Sequence, residues 1–303
     1  MITPHQKQPG LAAAIGLPEL YFKREDLHPY GSHKGRSIPT MIDHYRLMGD
    51  RHFAISSSGN AALAAALHIK KLNAAPQTDQ TLTPGSELGS LSLDIFVGTH
   101  IAPHKLEMIR DAASKDPAIS ILSKERPLQA LTLAVDQGAR SLRQSIDDQA
   151  LVGYESLAAE IAEIAGSGAV FIGTSSGTTA QALAQYFIEH KLPIQVHIIQ
   201  TSSCHPLADA FDTFDIPMET SLADAIVTKT TYRKDALIPL ISQTGGRGWL
   251  ATNESIRTAQ ELSVKYANLD ISPNSALSVA GAMQAASMGY DIKGTAVCLI
   301  CGE

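Results

Sequence analysis

The sequence predicts an α/β protein of two three-layer α/β/α lobes with mainly parallel sheets, and three observations carry that expectation. Short apolar runs recur along the chain, each followed by a longer segment whose apolar residues fall at helical spacing. That alternation is the pattern of βαβ units. Runs such as Ala296–Ile300 are apolar without interruption, as suits strands covered on both faces. The length of 303 residues suits two domains or one large one, at about 150 residues each.

In order, Leu20–Lys23 reads as a strand and Lys34–Met48 as a helix. His52–Ser56 is a strand, and Asn60–Lys71 a helix rich in Ala and Leu. A strand at Leu93–Gly98 precedes a helix at Pro103–Lys115. Ala118–Leu122 is the next strand, with a helix after Arg126. The pattern resumes with helix Leu157–Ala165, strand Ala169–Gly173, helix Thr178–His190 and strand Ile194–Gln200. Helical segments follow at Arg233–Gln243, Glu254–Ala267 and Ala276–Met288, and Thr295–Ile300 is a last strand. Asn73–Ser92, rich in Thr, Gly, Pro and Ser, reads as a surface loop. Ser145–Gly153 is the expected crossover. It divides a smaller α/β domain (35–145) from a larger one (1–34 plus 146–303), with a ligand cleft between them.

Composition narrows the function. A net charge of -6 leaves no general basic surface for nucleic acid or anionic membrane. No apolar run reaches the roughly 18 residues of a membrane span, and Leu11–Leu17 is too short for a secretion signal. A cytoplasmic location is expected. Three cysteines do not make a disulfide scaffold. Cys298 and Cys301 have the spacing of a redox or metal pair. A strand would bury Cys298, however, and no second pair completes a zinc site, so no metal is expected.

Four segments carry chemistry. In Lys23-Arg24-Glu25-Asp26-Leu27-His28-Pro29-Tyr30-Gly31-Ser32-His33-Lys34, a strand enters a Pro/Gly turn and Lys34 opens a helix. The positive end of the helix dipole favours the neutral amine, the form that attacks an aldehyde. Ser56-Ser57-Ser58-Gly59-Asn60 follows a strand and opens a helix, where backbone N–H groups and hydroxyls can hold a carboxylate. Gly173-Thr174-Ser175-Ser176-Gly177-Thr178-Thr179 joins a strand to a helix and can cradle a phosphate. It lacks the Lys of a Walker loop and the spacing of a dinucleotide fingerprint. Cys301-Gly302 ends the last strand, where a thiol can meet a heterocycle nitrogen. Taken singly, these are a surface lysine, an N-cap cluster, a plain turn and a structural cysteine.

Their order and context change the reading. Together they resemble the fold-type II, tryptophan synthase β-like family of pyridoxal-phosphate (PLP) enzymes. That family includes threonine synthase, serine/threonine dehydratases and cysteine synthase. The likeness covers nearly the whole chain, and K-R-E-D-L…G-S-H-K and S-S-G-N-A are its specific parts. It implies that Lys34 holds the cofactor as a Schiff base and later moves the substrate's α-proton. It implies further that Asn60 contacts the cofactor's ring oxygen and that Ser57, Ser58, Gly59 and Asn60 line the substrate site. Gly173, Thr174, Ser175, Ser176, Gly177 and Thr178 would bind the cofactor phosphate. Cys301 stands where a Ser or Thr usually faces the pyridine nitrogen.

Within the family, His33 before Lys34 resembles the tryptophan synthase β chain. The acidic catalytic segment of that chain is replaced here by Ser56–Asn60. Gly153–Ile161, Thr244-Gly245-Gly246 with Asn253–Ile256, and Pro273–Leu277 are more similar to threonine synthase. The chain departs from the pattern at Ser175-Ser176, where glycines are usual, and at Gly35. The resemblance therefore implies elimination or replacement on a small amino acid, threonine synthase-like. The alternatives are a serine/threonine dehydratase and a PLP-binding paralogue without turnover. A homodimer is expected, and with no residue after Glu303 a C-terminal regulatory domain is not. Lys23, Arg24 and Arg36 flank Lys34 and are candidates for a substrate phosphate, or for structural ion pairs.

Overall fold

The computed structural model describes residues 2–75, 90–213, 218–226 and 228–302. They form two compact units. The larger comprises the residues up to His33 and those from Tyr154 onward; the smaller is Lys34–Gly153. The larger unit opens with β1 (His5–Lys7), α1 (Pro9–Ile15), β2 (Leu20–Arg24) and a 3-10 turn at Glu25–Leu27. The smaller follows with α2 (Lys34–Leu47), β3 (His52–Ser56), α3 (Asn60–Ala74), β4 (Ser92–Gly98) and α4 (Pro103–Ala113). It continues with β5 (Ile119–Lys124), α5 (Pro127–Asp136), β6 (Arg140–Ser141) and α6 (Gln149–Val152). The chain then returns to the larger unit with α7 (Glu155–Ala165), β7 (Gly168–Gly173), α8 (Thr178–Glu189), β8 (Ile194–Thr201) and α9 (Lys234–Thr244). Its last elements are β9 (Gly248–Ala251), α10 (Asn253–Ala267), α11 (Pro273–Ser287) and β10 (Thr295–Ile300).

The smaller unit is built on a parallel sheet of order β5-β4-β3-β6. Ala54 and Phe96 on one face pack with Leu131 and Ala134 of α5. Helices α2, α3 and α4 pack in succession, with α3 and α4 against the strands. The expected loop Asn73–Ser92 is shorter at both ends, because Asn73 and Ala74 extend α3 and Ser92 begins β4. Its middle, 76–89, lies outside the described residues. The Asn73 amide pins the two ends together, donating to Leu91 O at 3.0 Å and accepting the Leu91 N–H at 2.9 Å.

The larger unit has a sheet of order β1-β2-β10-β7-β8-β9, parallel except for β1, which runs antiparallel to β2. Both faces are covered, so β7 and β10 are apolar at successive positions instead of alternating. Phe22, Ala169, Phe171, Ile199 and Cys298 join the cluster formed with α1, α10 and α11. The intervening Val170, Ile172, Ile198 and Leu299 are buried too, and period-two alternation turns them to the face covered by α7, α8 and α9.

Two buried polar clusters hold this unit. Lys23, wholly buried in β2, pairs with Glu160 of α7 and donates to Thr3 O at 2.6 Å. Arg24 pairs with Asp26 at 2.7 Å and donates to Gln6 at 2.9 Å. Both cations are therefore structural, which removes Lys23 and Arg24 as candidates for a substrate phosphate. On β8, His197 lies flat on Phe171, with ring centroids 4.7 Å apart. Its Nδ1 accepts the Trp249 indole N–H at 3.1 Å and the Arg247 backbone N–H at 3.2 Å. Burial, with the Arg247 guanidinium adding to it, pulls this imidazole down to about 3. No helix among the described residues is long and apolar enough to cross a membrane.

Candidate active site

Strand order selects the strand ends at which α/β proteins bind ligands. In the smaller sheet the chain leaves β3 toward β4 and β5, then returns to the other side of β3 as β6. In the larger sheet β7 is followed on one side by β8 and β9, while β10 and β2 lie on the other. Loops after β3 and β7 thus sit at topological switch points, where neighbouring loops part and leave a crevice. Those two loops are Ser57-Ser58-Gly59 and Gly173–Gly177.

In the smaller unit Lys34 is the first residue of α2 and is half-buried. Ser56 ends β3, and Gly59 is the N-cap of α3 with Asn60 as its first residue. The cap-cluster alternative does not describe this turn, because Gly59 has no side-chain oxygen and no side-chain cap bond is made. The Ser57 hydroxyl accepts the Gly59 N–H at 3.4 Å, and Ser58 is exposed. The α3 N-terminus therefore presents its dipole past a bare glycine, suited to an anion.

In the larger unit Gly177, at φ +89, caps α8, and its carbonyl accepts the Gln181 N–H at 2.8 Å. A β-carbon there would also meet Leu237 Cδ2 at 2.7 Å. At Gly173 a β-carbon would stand 2.9 Å from the Asn274 carbonyl oxygen. Side chains hold the loop's shape. The Thr174 hydroxyl donates to Ile172 O at 2.8 Å, Ser175 shares a hydrogen bond with Thr228 at 2.7 Å, and Ser176 one with Thr178 at 3.0 Å. Arg233, buried at the start of α9, donates to Gln181 at 3.1 Å.

Cys301 follows the neighbouring strand. β10 pairs with β7 up to Cys298 and Phe171 and with β2 up to Ile300 and Arg24, and Cys301 is the first residue past its end. The first turn of α11 anchors it: Ser275 Oγ accepts the Cys301 N–H at 3.0 Å and donates to Gly302 O at 3.2 Å. Ser272, the N-cap of α11, also donates to Gly302 O, at 2.8 Å. Gly302 has φ +90, and a β-carbon on it would meet Gly31 O at 2.5 Å. His33 Nδ1 lies 3.4 Å from Cys301 O, and its ring stacks on Tyr154 at 6.0 Å. The strand end at Cys301 is thus docked on the turn Gly31–His33 that leads into Lys34.

These residues fit PLP. The loop Gly173–Gly177 carries no charge of its own, but it places glycine backbone and hydroxyls before the positive end of α8, a donor set for a phosphate. A thiol follows the end of the adjacent strand β10, and in the smaller unit a lysine opens α2. Sequence reasoning missed Gln181, Thr228, Arg233 and Ser275. Only Ser275 had a signal, in the helix-opening segment from Pro273.

The comparisons agree. Threonine synthase of Mycobacterium leprae (strain TN) is 24% identical over 313 residues, spanning 99% of this chain and 81% of its own. Among solved structures, a pyridoxal 5'-phosphate-dependent aspartate racemase superposes with a TM-score of 0.80 at 18% identity, covering 100% of this chain and 90% of that one. The processed form of threonine deaminase isoform 2 from Solanum lycopersicum gives 0.79 at 18% identity, covering 99% and 78%. The model of the pyridoxal-phosphate dependent enzyme family matches residues 2–302, and the chain belongs to that family, with PLP as its cofactor.

Proposed function

We propose that the protein catalyses elimination or replacement at the β or γ carbon of an amino acid, in the manner of threonine synthase, taking O-phosphohomoserine and water to threonine and phosphate. The observation that carries the reaction class is a thiol, Cys301, just past the end of β10, the strand that pairs with β7. A thiol is too weak an acid to keep a pyridine nitrogen protonated, as a carboxylate would. That difference favours elimination and replacement over transamination. The near full-length similarity to threonine synthase supports the substrate.

Bound PLP supplies an electron sink for the pair released at the substrate's Cα. The chain supplies position and proton handling. The Lys34 amine anchors the cofactor, then takes the proton from Cα and returns it. Ser57, Ser58 and Gly59, with the first N–H groups of α3, hold the substrate carboxylate and so fix which Cα bond faces Lys34. Asn60 would donate its amide to the cofactor's phenolic oxygen, and Gly173 to Thr178 would hold its phosphate.

Deamination of serine or threonine is the second reading, and one observation favours it. Lys23 and Arg24 are committed to Glu160 and to Asp26 with Gln6, so neither serves a second phosphate. Coupled assays separate the readings. Inorganic phosphate plus threonine from phosphohomoserine supports the first, and ammonia plus keto acid from serine or threonine replaces it with the second. Borohydride should fix PLP to Lys34, and Lys34→Ala should lose label and turnover; label on another lysine refutes the site. Firm PLP binding without turnover of any amino acid would indicate a regulatory paralogue. We further propose a cytoplasmic homodimer, checked by fractionation and light scattering.

A further inference from the structure

We propose that Ser275 is a positioning residue that sets the height of the Cys301 thiol at the cofactor's ring nitrogen. The proposal rests on the reading of Cys301 given above and deepens it. β10 ends at Ile300, and its ladders with β7 and β2 end at Cys298 and Ile300. Cys301 has therefore left the sheet, and sheet register no longer fixes it. Ser275 does so instead. The residue is 1% exposed, and its hydroxyl is used in both directions, accepting the Cys301 N–H and donating to Gly302 O. A hydroxyl engaged as donor and acceptor on consecutive residues fixes the backbone between them. It also ties that backbone to the first turn of α11, whose own start is set by the Ser272 cap at 3.2 Å.

A merely structural serine would add stability and nothing else. Ser272 is the comparison: it donates to the same Gly302 carbonyl, caps α11 and lies 3.2 Å from the Ser275 hydroxyl, but makes no bond to Cys301 itself. If Ser275 acts through Cys301, its loss should alter what the thiol alters, and Ser272 should not.

The test compares holoenzymes of Ser275→Ala, Cys301→Ala, the double variant and Ser272→Ala. Each is read by the visible cofactor band, its pH titration, and kcat against KM. Ser275→Ala should shift the band toward that of Cys301→Ala and lower kcat about tenfold, the upper range for losing one hydrogen bond that orients an acting group. KM should stay within about twofold on the same scale. The double variant should match Cys301→Ala alone, because residues acting through one group are not additive. Ser272→Ala should lower the melting temperature and leave the band unchanged. A wild-type band in Ser275→Ala overturns the proposal, as do losses that add fully in the double variant. Should Ser275→Ala not fold, Ser275→Cys, whose longer and weaker hydrogen bonds release the Cys301 backbone, should shift the band part of the way toward that of Cys301→Ala, and an unshifted band there overturns it equally. A wild-type protein with no cofactor band at all defeats the PLP reading itself, a separate result.

Discussion

Acidification should destabilise the larger unit through His197, and the size of the effect follows from its surroundings. The imidazole is held neutral, with Nδ1 accepting from Trp249 and Arg247 and its pKa pulled to about 3 by burial and by the Arg247 guanidinium. In the unfolded chain it titrates near 6.5. The unfolded state therefore gains a proton as pH falls below 6.5, while the folded state does not until about 3. Stability is complete above the unfolded value and is lost through that window, by about 2 kcal/mol at pH 5, with a slope approaching one proton. Trp249 is the single tryptophan and is buried against His197, so its fluorescence reports this unit alone. Urea unfolding should be followed by that signal from pH 7.5 to 4.5, in wild type and in His197→Asn. Asn retains an acceptor near Nδ1 but cannot titrate. It also loses the stack on Phe171, so its baseline stability is lower, and the slope is the quantity compared. Parallel slopes in the two proteins would refute the assignment.

Three further outcomes are expected. Lys23→Met leaves Glu160 buried without its cation and should cost about 3–5 kcal/mol in chemical denaturation; unchanged stability would show the pair is not buried in solution. Gly177→Ala should lose stability by about 1–2 kcal/mol from the positive φ alone, with PLP retention falling alongside. A bulkier residue confounds folding with binding, so Ser176→Ala is the cleaner probe of the phosphate loop: equal release of PLP from it and wild type would remove Ser176 from the site. Cys301→Ser should retain turnover, whereas Cys301→Asp should impair elimination; normal turnover in Cys301→Asp would mean that this side chain does not meet the ring nitrogen.

What the sequence disclosed was local. β7, its loop and α8 were readable because an apolar run, a Gly/Ser turn and a helical pattern follow one another directly. β9 went unread, since Gly248–Ala251 is too short to show a period, and β1 because all three of its residues are exposed and polar. Helix α11 begins earlier than its apolar pattern, at Pro273, because Ser272 caps it and proline is well placed in a first turn. Contacts between distant segments left no trace. Lys23 lies between Phe22 and Arg24, and its burial depends on Glu160, 137 residues away. Ser275 and Cys301 meet only because α11 packs on β7 and β10.

Those long-range contacts also decide how far the reaction can be specified. A cofactor phosphate asks only for backbone N–H groups, hydroxyls and a helix dipole, which the loop before α8 provides without a charged residue. A phosphorylated substrate brings a second anion, whose charge must be matched where the leaving group departs. In the larger unit several cations are committed: Lys23 to Glu160, Arg24 to Asp26 and Arg247 to Asp212. Arg233 lies behind Gly177, its buried guanidinium on Gln181, and Arg36 is buried in the first turn of α2. Lys23 and Arg24, which precede Lys34, thus hold the strand and turn that lead into it. We therefore propose that substrate choice lies with the segments beyond β8 that are similar to threonine synthase, Thr244–Gly246, Asn253–Ile256 and Pro273–Leu277.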